Sequence, residues 1–204
     1  MPHKPTAAKQ TLNRVYPFIL IIAGTLGLLA SFAITIEKLH LLQNPAYHPL
    51  CSINPIISCS PIMLSPEASA FGFPNSLIGI FGFALVVNVG VSLLAGAALK
   101  RWYWRAFNAG TLFGIVFVHW LIAIALFDIK ALCIYCNLVW VITAPIFWYT
   151  TLYNLREGHL PTPAKLKTAV AFAQRHHGDI LAAWYGILIF IVLHQFWYYW
   201  QTLL

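Results

Sequence analysis

The sequence predicts an all-α integral membrane protein, a four-helix transmembrane bundle followed by a fifth transmembrane helix. Of its 204 residues, 60% are hydrophobic and 8% are charged, which leaves too little polar surface for a soluble domain of this size. Five apolar stretches are long enough to cross about 30 Å of hydrocarbon. They cover residues 17–36, 77–99, 107–127, 132–153 and 180–203, so almost no chain remains for a soluble domain.

The first apolar stretch follows three basic residues, as the core of a secretory signal does. It is longer than a typical signal core, and it continues into Glu37 and Lys38 without a small-residue cleavage site. We therefore expect a retained first helix, preceded by a cytoplasmic N-terminal segment, residues 1–16. Glu37 and Lys38 are expected to be solvated charges at the end of that helix.

A long connection, residues 37–76, separates the first two stretches and is predicted to be an outer loop. Because proline has no backbone N–H and breaks helices, the six prolines of this segment argue against one continuous helix. The loop contains two of the four cysteines, Cys51 and Cys59. Its prolines are Pro45, Pro49, Pro55, Pro61, Pro66 and Pro74.

The remaining stretches complete the predicted organisation. The first four form a four-helix core over residues 17–153, and a polar interval, residues 154–179, is expected to be a cytoplasmic connection with a short helix near 164–175. The fifth transmembrane helix is predicted over residues 180–204. His119 lies within the third stretch, where we expect it to be neutral and hydrogen-bonded.

The distribution of basic residues predicts the orientation in the membrane. A net charge of +7 would suggest nucleic acid as the partner of a soluble protein, but five crossings place ten of the twelve Lys and Arg residues on one side. Basic residues concentrate on the cytoplasmic side of membranes, so the N-terminus is predicted to be cytoplasmic and no nucleic acid partner is expected. The ten are Lys4, Lys9, Arg14, Lys100, Arg101, Arg105, Arg156, Lys165, Lys167 and Arg175. We expect a multi-pass protein with all four cysteines on the outer side of the membrane, which for a bacterial inner membrane is the oxidising periplasm.

The four cysteines form two pairs with different spacings. Seven residues separate Cys51 from Cys59, and a disulfide between them is plausible either as a structural staple or as a redox pair. Cys133 and Cys136 form a Cys-x-x-Cys at the start of the fourth helix, a spacing common in redox dithiols and metal sites. Unpaired backbone N–H groups at a helix N-terminus favour a thiolate there.

These four sulfurs could serve a metal or a redox relay. A non-enzymatic metal-binding membrane protein could hold zinc with them, but structural zinc sites generally use two close pairs, so no metal is predicted. A relay is favoured, because a protein substrate is water-soluble whereas a lipid-soluble acceptor stays in the bilayer. Thiol–disulfide exchange between the two pairs would connect the two phases.

Three motifs resemble those of the vitamin K epoxide reductase family. They are the C-x7-C pair, the Asn-Ser of "FPNSLIGIFG" before the second helix, and "CIYC" at the start of the fourth, within roughly residues 15–153. The similarity is to bacterial homologues that reoxidise periplasmic disulfide-forming proteins. It implies that Cys51 is exposed to the partner protein, that Cys59 is the shuttle that reacts with Cys133, and that Cys136 lies next to a quinone.

The resemblance also implies which residues contact the quinone. Asn75 matches the family Asn that hydrogen-bonds a quinone oxygen, with Ser76 beside it, although a helix cap is an alternative role for this Asn-Ser pair. Trp140 stands where the animal enzymes have a Tyr, and it offers an N–H instead of a hydroxyl. Plain reduction of menaquinone or ubiquinone is therefore favoured over vitamin K epoxide chemistry.

Many bacterial relatives continue past the fifth helix into a thioredoxin-like domain, whereas this chain ends at Leu204. The resemblance therefore implies a stand-alone form whose partner is a separate thioredoxin-fold, DsbA-like protein on the outer side. Vitamin K quinone or epoxide reductase activity is the nearest alternative. A DsbB-like enzyme performs similar chemistry but has its two cysteine pairs in the reverse order along the chain.

Overall fold

The computed structural model describes residues 7–44, 46–54 and 56–201 and confirms the all-α membrane architecture. Five helices are long and apolar enough to cross a membrane. They contain the residues Arg14–Gln43, Asn75–Leu94, Arg101–Ile129, Ile134–Arg156 and His177–Gln195. The described residues contain no β-strand, only an isolated parallel bridge between Ile57 and Leu132.

The elements are labelled in chain order. Helix α1 is Ala7–Gln43, α2 is Cys59–Leu64, and a 3₁₀ turn, Pro66–Ser69, leads to α3, Asn75–Leu94. Helix α4, Arg101–Ala123, ends in a π-helical segment, Ile124–Ile129, and is followed by α5, Ile134–Arg156. The last helices are α6, Lys167–Arg175, α7, His177–Gln195, and α8, Trp197–Trp200.

Helix α1 is longer than predicted at both ends. It continues seven residues past the expected end at residue 36, so the first part of the predicted loop 37–76 is helical. Glu37 and Lys38 are only 5% and 6% exposed, and the prediction that they are solvated was wrong. The extra helical turns carry both side chains beneath the loop, where Lys38 Nζ donates to the Ala68 carbonyl (3.3 Å) and to Ser69 Oγ (2.7 Å).

Helix α1 is the centre of the bundle, packing against α3 on one side and α5 on the other, while α4 packs against α5. Small residues allow α1 and α3 to approach closely. A Cβ added to Gly90 would lie 2.9 Å from the Pro17 carbonyl oxygen, and one added to Gly24 would lie 2.8 Å from Val87 Cγ2. Since α3 and α4 each pack on a different partner, space remains between them.

Several polar side chains join the helices of the bundle through hydrogen bonds. Tyr16 donates to Thr150 Oγ1 (2.9 Å), joining α1 to α5. Both ring nitrogens of His119 have partners, since Nδ1 lies 2.7 Å from the Ile115 carbonyl oxygen and Trp184 Nε1 donates to Nε2 (2.8 Å). His119 thus joins α4 to α7, which confirms its predicted hydrogen-bonded role.

The end of the bundle opposite the cysteines is closed by the α5–α6 connection. Arg101 donates to the Gly158 (2.6 Å) and His159 (3.2 Å) carbonyls, and Arg105 donates to the His159 carbonyl (2.9 Å). The expected short helix near 164–175 is present as a 3₁₀ turn, Ala164–Leu166, followed by α6.

The predicted fifth helix, residues 180–204, is interrupted. Helix α7 ends at Gln195, and Phe196 turns inward to become fully buried against Ile56, Leu132 and Trp140 before α8 begins. The bulky Phe196 ring thereby joins the last helix to the cysteine end of the bundle. Residues 202–204 of this predicted helix, Pro45 and Pro55 of the loop, and residues 1–6 of the N-terminal segment lie outside the described residues.

Candidate redox site

The two loop cysteines form a disulfide, Cys51–Cys59, with their Cα atoms 5.9 Å apart. Side chains within the loop hold the ring in shape. Asn54 Oδ1 accepts from the backbone N–H groups of Ile56 (3.0 Å) and Ile57 (2.7 Å), an Asx-type turn. Ser52 Oγ accepts from the Cys59 N–H (3.2 Å). The loop therefore presents Cys59 in a defined position.

A short parallel bridge fixes this ring against the segment that precedes α5. The Ser58 N–H donates to the Leu132 carbonyl (3.0 Å), and the Leu132 N–H donates to the Ile56 carbonyl (2.8 Å). Because Cys59 and Cys133 directly follow Ser58 and Leu132, the bridge aligns the two sulfurs. Cys59 Sγ lies 3.1 Å from Cys133 Sγ.

This arrangement suits thiol–disulfide exchange, in which a thiolate attacks one sulfur of a disulfide. Cys133 is a free thiol at the N-cap of α5, and its Sγ accepts from the Cys136 N–H (3.5 Å). The hydrogen bond from the Cys136 side chain, helped by the N–H groups of Cys136 and Tyr135, lowers the pKa of the Cys133 thiol, although burial acts in the opposite direction. Cys133 is therefore favoured as a thiolate, the form in which a sulfur attacks a disulfide or leaves one.

Cys136 lies at the wall of a cavity of about 650 Å³ between α3 and α4. The three predicted quinone-binding residues, Asn75, Ser76 and Trp140, line the same cavity. The remaining wall is almost entirely apolar, with residues such as Phe113 from α4. The seven predicted site residues thus fall into two adjoining places, the sulfur cluster of Cys51, Cys59 and Cys133, and the cavity beside Cys136.

Asn75 fastens the 3₁₀ turn to α3 and does not act as a helix cap. Its Nδ2 donates to the Glu67 carbonyl (2.6 Å), and its Oδ1 accepts from the Ala70 N–H (3.1 Å). The cap position belongs to Pro74, whose side chain has no hydrogen-bonding group. Since an amide nitrogen carries two hydrogens, a second N–H of Asn75 remains for a ligand. Ser76 Oγ is paired with Thr35 Oγ1 (2.8 Å).

Cys51 differs from the expectation that it is exposed to a partner. Its side chain is 2% exposed, because the ring folds inward against Met63 and Leu41. The neighbouring Leu50 and Ile53 are 82% and 68% exposed. An external thiol could therefore reach Cys51 only if this part of the loop were displaced.

Two residues near the sulfur cluster were missed by the sequence reasoning. Glu37 is buried and accepts a hydrogen bond at Oε2 from the Tyr47 hydroxyl (3.0 Å), and Tyr47 packs against the cluster. The signal was present, since Ile34 and Leu41 stand three residues before and four residues after Glu37 and would place it on an apolar helix face. The predicted helix ended at residue 36, so Glu37 and Leu41 fell outside it and their shared face was not predicted.

The three sulfurs of the cluster lie close enough together to bind one metal ion, but two of them are not thiolates. The Sγ atoms of Cys51, Cys59 and Cys133 lie within 4.8 Å of one another. Zinc is bound by thiolates, and two of these three sulfurs are joined in a disulfide.

The chain matches a known protein family. The model described as the vitamin K epoxide reductase family matches residues 18–151, well over half of the 204-residue chain. The matched region contains all four cysteines and the three cavity residues Asn75, Ser76 and Trp140.

Proposed function

This chain belongs to the vitamin K epoxide reductase family of membrane oxidoreductases, and we propose that it carries electrons from a thioredoxin-fold protein to a membrane quinone. Its product on the protein side is a reoxidised, DsbA-like disulfide donor, so the reaction supports disulfide bond formation. The observation that carries the proposal is the 3.1 Å separation of Cys59 Sγ and Cys133 Sγ, which connects the two cysteine pairs.

Electrons enter at the loop pair. A thiolate of the reduced partner attacks Cys51, the Cys51–Cys59 bond breaks, and the second partner thiol then closes the partner's disulfide and releases Cys51. The Cys59 thiolate attacks Cys133 of a Cys133–Cys136 disulfide, and Cys136 leaves as the thiol. Finally Cys51 attacks Cys59 and frees Cys133. The observed state, with a loop disulfide and two thiols on α5, follows this transfer and precedes reduction of the acceptor.

A quinone fits the cavity beside Cys136. The volume of about 650 Å³ lies in the usual range for small-molecule sites, and the apolar wall suits a ring that dissolves in lipid. The remaining Asn75 N–H is available to a carbonyl oxygen, and the Trp140 ring offers an aromatic face. A quinone accepts two electrons and two protons, which are the numbers that the Cys133 and Cys136 thiols release when they form a disulfide.

The basic residues support an orientation with the N-terminus in the cytoplasm and the cysteines outside a bacterial inner membrane. Arg101, Arg105 and Arg156 lie at the end of the bundle opposite the sulfur cluster. The exposed Leu50 and Ile53 beside Cys51 would meet the partner on the periplasmic side. We propose a separate thioredoxin-fold protein as that partner.

The test uses purified protein in nanodiscs with a reduced thioredoxin-fold protein and a short-chain quinone. We expect quinol formation that is lost in Cys136→Ser, with retained folding checked by thermal unfolding. When the partner is supplied in its oxidised form, the Cys51 thiolate of Cys59→Ser should attack the partner's disulfide and form a mixed disulfide at Cys51. Quinone reduction by Cys136→Ser, or a mixed disulfide at Cys133, would disprove this order of electron flow. Reduction of vitamin K epoxide at a rate comparable to quinone would favour the alternative activity.

A further inference from the structure

A buried carboxylate lies on the helix face that covers the sulfur cluster. Ile34 and Leu41 of α1 pack against this cluster, and Glu37 lies between them at the helical spacing that puts all three side chains on one face. Glu37 is 5% exposed. An acidic side chain is rarely buried to this degree without a partner or a function, because removing a charge from water is costly.

Tyr47 holds the carboxylate in place. Its hydroxyl donates to Glu37 Oε2 (3.0 Å), and its ring packs against the same cluster. That hydrogen bond raises the pKa of Tyr47, so the phenol stays protonated as a donor. The other nearby polar groups are His40, whose ring is 5.1 Å from that of Tyr47, and Tyr135, which acts on Tyr47 electrostatically. Lys38 points instead to the 3₁₀ turn.

The sulfurs need a local proton acceptor. Cys59 and Cys133 are fully buried and Cys51 is 2% exposed, so bulk water does not reach the reacting atoms in this conformation. Thiol–disulfide exchange consumes a thiolate and produces another, and a proton has to leave one sulfur and reach the next. The hydrogen bond from Cys136 lowers the pKa of Cys133. The negative charge of Glu37 raises that pKa, but by less.

We propose that Glu37 accepts and returns the proton that moves between sulfurs during exchange, an inference that rests on the proposed relay. The Cys51 thiol gives its proton to Glu37, and its sulfur attacks Cys59 in the Cys59–Cys133 mixed disulfide. The Cys51–Cys59 bond forms, the Cys59–Cys133 bond breaks, and the electron pair leaves on Cys133. Cys133 then takes the proton from Glu37, so no other oxidant, reductant or proton source is needed.

The experiment separates this exchange from reduction of the acceptor. Fully reduced protein in nanodiscs is mixed without oxygen with excess decylubiquinone, and quinone absorbance is followed by stopped flow. The first equivalent of quinol comes from Cys133 and Cys136, and the second appears only after exchange with Cys51 and Cys59. Samples quenched with N-ethylmaleimide and mapped by mass spectrometry locate the remaining thiols at each time, independently of the quinol signal.

Glu37→Gln keeps an oxygen that can accept from Tyr47 but removes the proton acceptor. We expect the second phase to slow by tenfold or more, in line with the size of general acid–base effects, while the first phase stays within about threefold of the unsubstituted protein. Asp128→Asn is the matched control, since Asp128 is an exposed carboxylate near the same end of the bundle. It should change neither phase.

Three results for Glu37→Gln would overturn the inference. If both phases slowed equally, Glu37 would have a structural role. If the second phase were unchanged, Glu37 would have no role in the exchange. A faster second phase would mean that the negative charge merely opposes the Cys133 thiolate. Failure of the proposed function is distinct from all three, because the unsubstituted protein would then form no quinol in either phase.

Discussion

Replacing Asn54 with Ala should slow electron transfer between the two cysteine pairs. When the loop pair is reduced, no disulfide closes the ring, and the turn built by Asn54 helps to keep Cys59 next to Cys133. Asn54 Oδ1 accepts from two backbone N–H groups at 3.0 and 2.7 Å, and Asn54→Ala removes both bonds.

The magnitude follows from the value of those bonds. A neutral hydrogen bond contributes about 0.5–1.5 kcal/mol net, so the two together favour the ordered turn by about 1–3 kcal/mol. Because exchange requires the ordered turn, its rate should fall by about fivefold to 150-fold. The bridge between Ile57 and Leu132 remains in the variant and keeps the effect below complete loss.

The assay is the second phase of quinone reduction by fully reduced protein. Asn44→Ala is the matched control, because Asn44 Oδ1 also accepts from a backbone N–H, that of Ala46 (3.0 Å), but outside the disulfide ring. We expect Asn44→Ala to leave the second phase unchanged. Equal rates in the Asn54 and Asn44 variants would refute the reasoning that the turn positions Cys59.

Three further predictions concern stability and thiol ionisation. Phe196→Ala should lower the stability by about 3–5 kcal/mol in thermal unfolding, because the ring is fully buried, whereas Phe190→Ala, at a 68% exposed position, should have little effect. Gly90→Ala should destabilise by about 1–3 kcal/mol, since the new Cβ would meet a carbonyl of α1 at 2.9 Å. Gly186→Ala, where no described atom lies within 4 Å of the added Cβ, should instead stabilise by up to about 1 kcal/mol in the same measurement. Hydrogen bonding at the start of α5 lowers the pKa of Cys133, so its thiolate persists to lower pH than an ordinary thiolate does. The ultraviolet absorbance of the thiolate, followed against pH and taken as the difference from Cys133→Ser, should then have a midpoint below the usual thiol range, and a midpoint within or above that range would contradict this.

The membrane architecture was predictable because bilayer thickness imposes a length on each apolar stretch. All five spanning helices were identified from hydropathy alone, but their ends were not. Helix α1 continues to Gln43 because Ile34 and Leu41 bury its last turns against the sulfur cluster, a tertiary contact that a hydropathy window does not register. Burial of Glu37 and Lys38 is a consequence of that same extension.

The candidate site was predictable as a set of residues but not as a geometry. Spacing and family resemblance identified Cys136, Asn75 and Trp140, which line one cavity. Sequence gave no information about the bridge between Ile57 and Leu132, whose backbone hydrogen bonds join segments more than 70 residues apart. Because hydrogen bonds between backbone atoms do not depend on particular side chains, the amino-acid sequence does not reveal them. The alignment of Cys59 with Cys133 was therefore visible only in the structure.

In the proposed relay, burial of the sulfur cluster would impose an order on the electron transfer. In the conformation that places Cys59 3.1 Å from Cys133, Cys51 is 2% exposed, so an external thiol cannot attack the loop disulfide while the internal exchange is possible. The displacement that exposes Cys51 also has to loosen the ring that positions Cys59. In the proposed relay, the loop would therefore serve the partner and Cys133 in turn, and small thiols would be kept away from the pair that reduces the acceptor. Loosening the ring should thus weaken two properties together, the rate of internal exchange and the protection of Cys51 against a small reductant. Asn54→Ala tests this link, because slower exchange without faster reduction of Cys51–Cys59 by dithiothreitol would show that the two are independent.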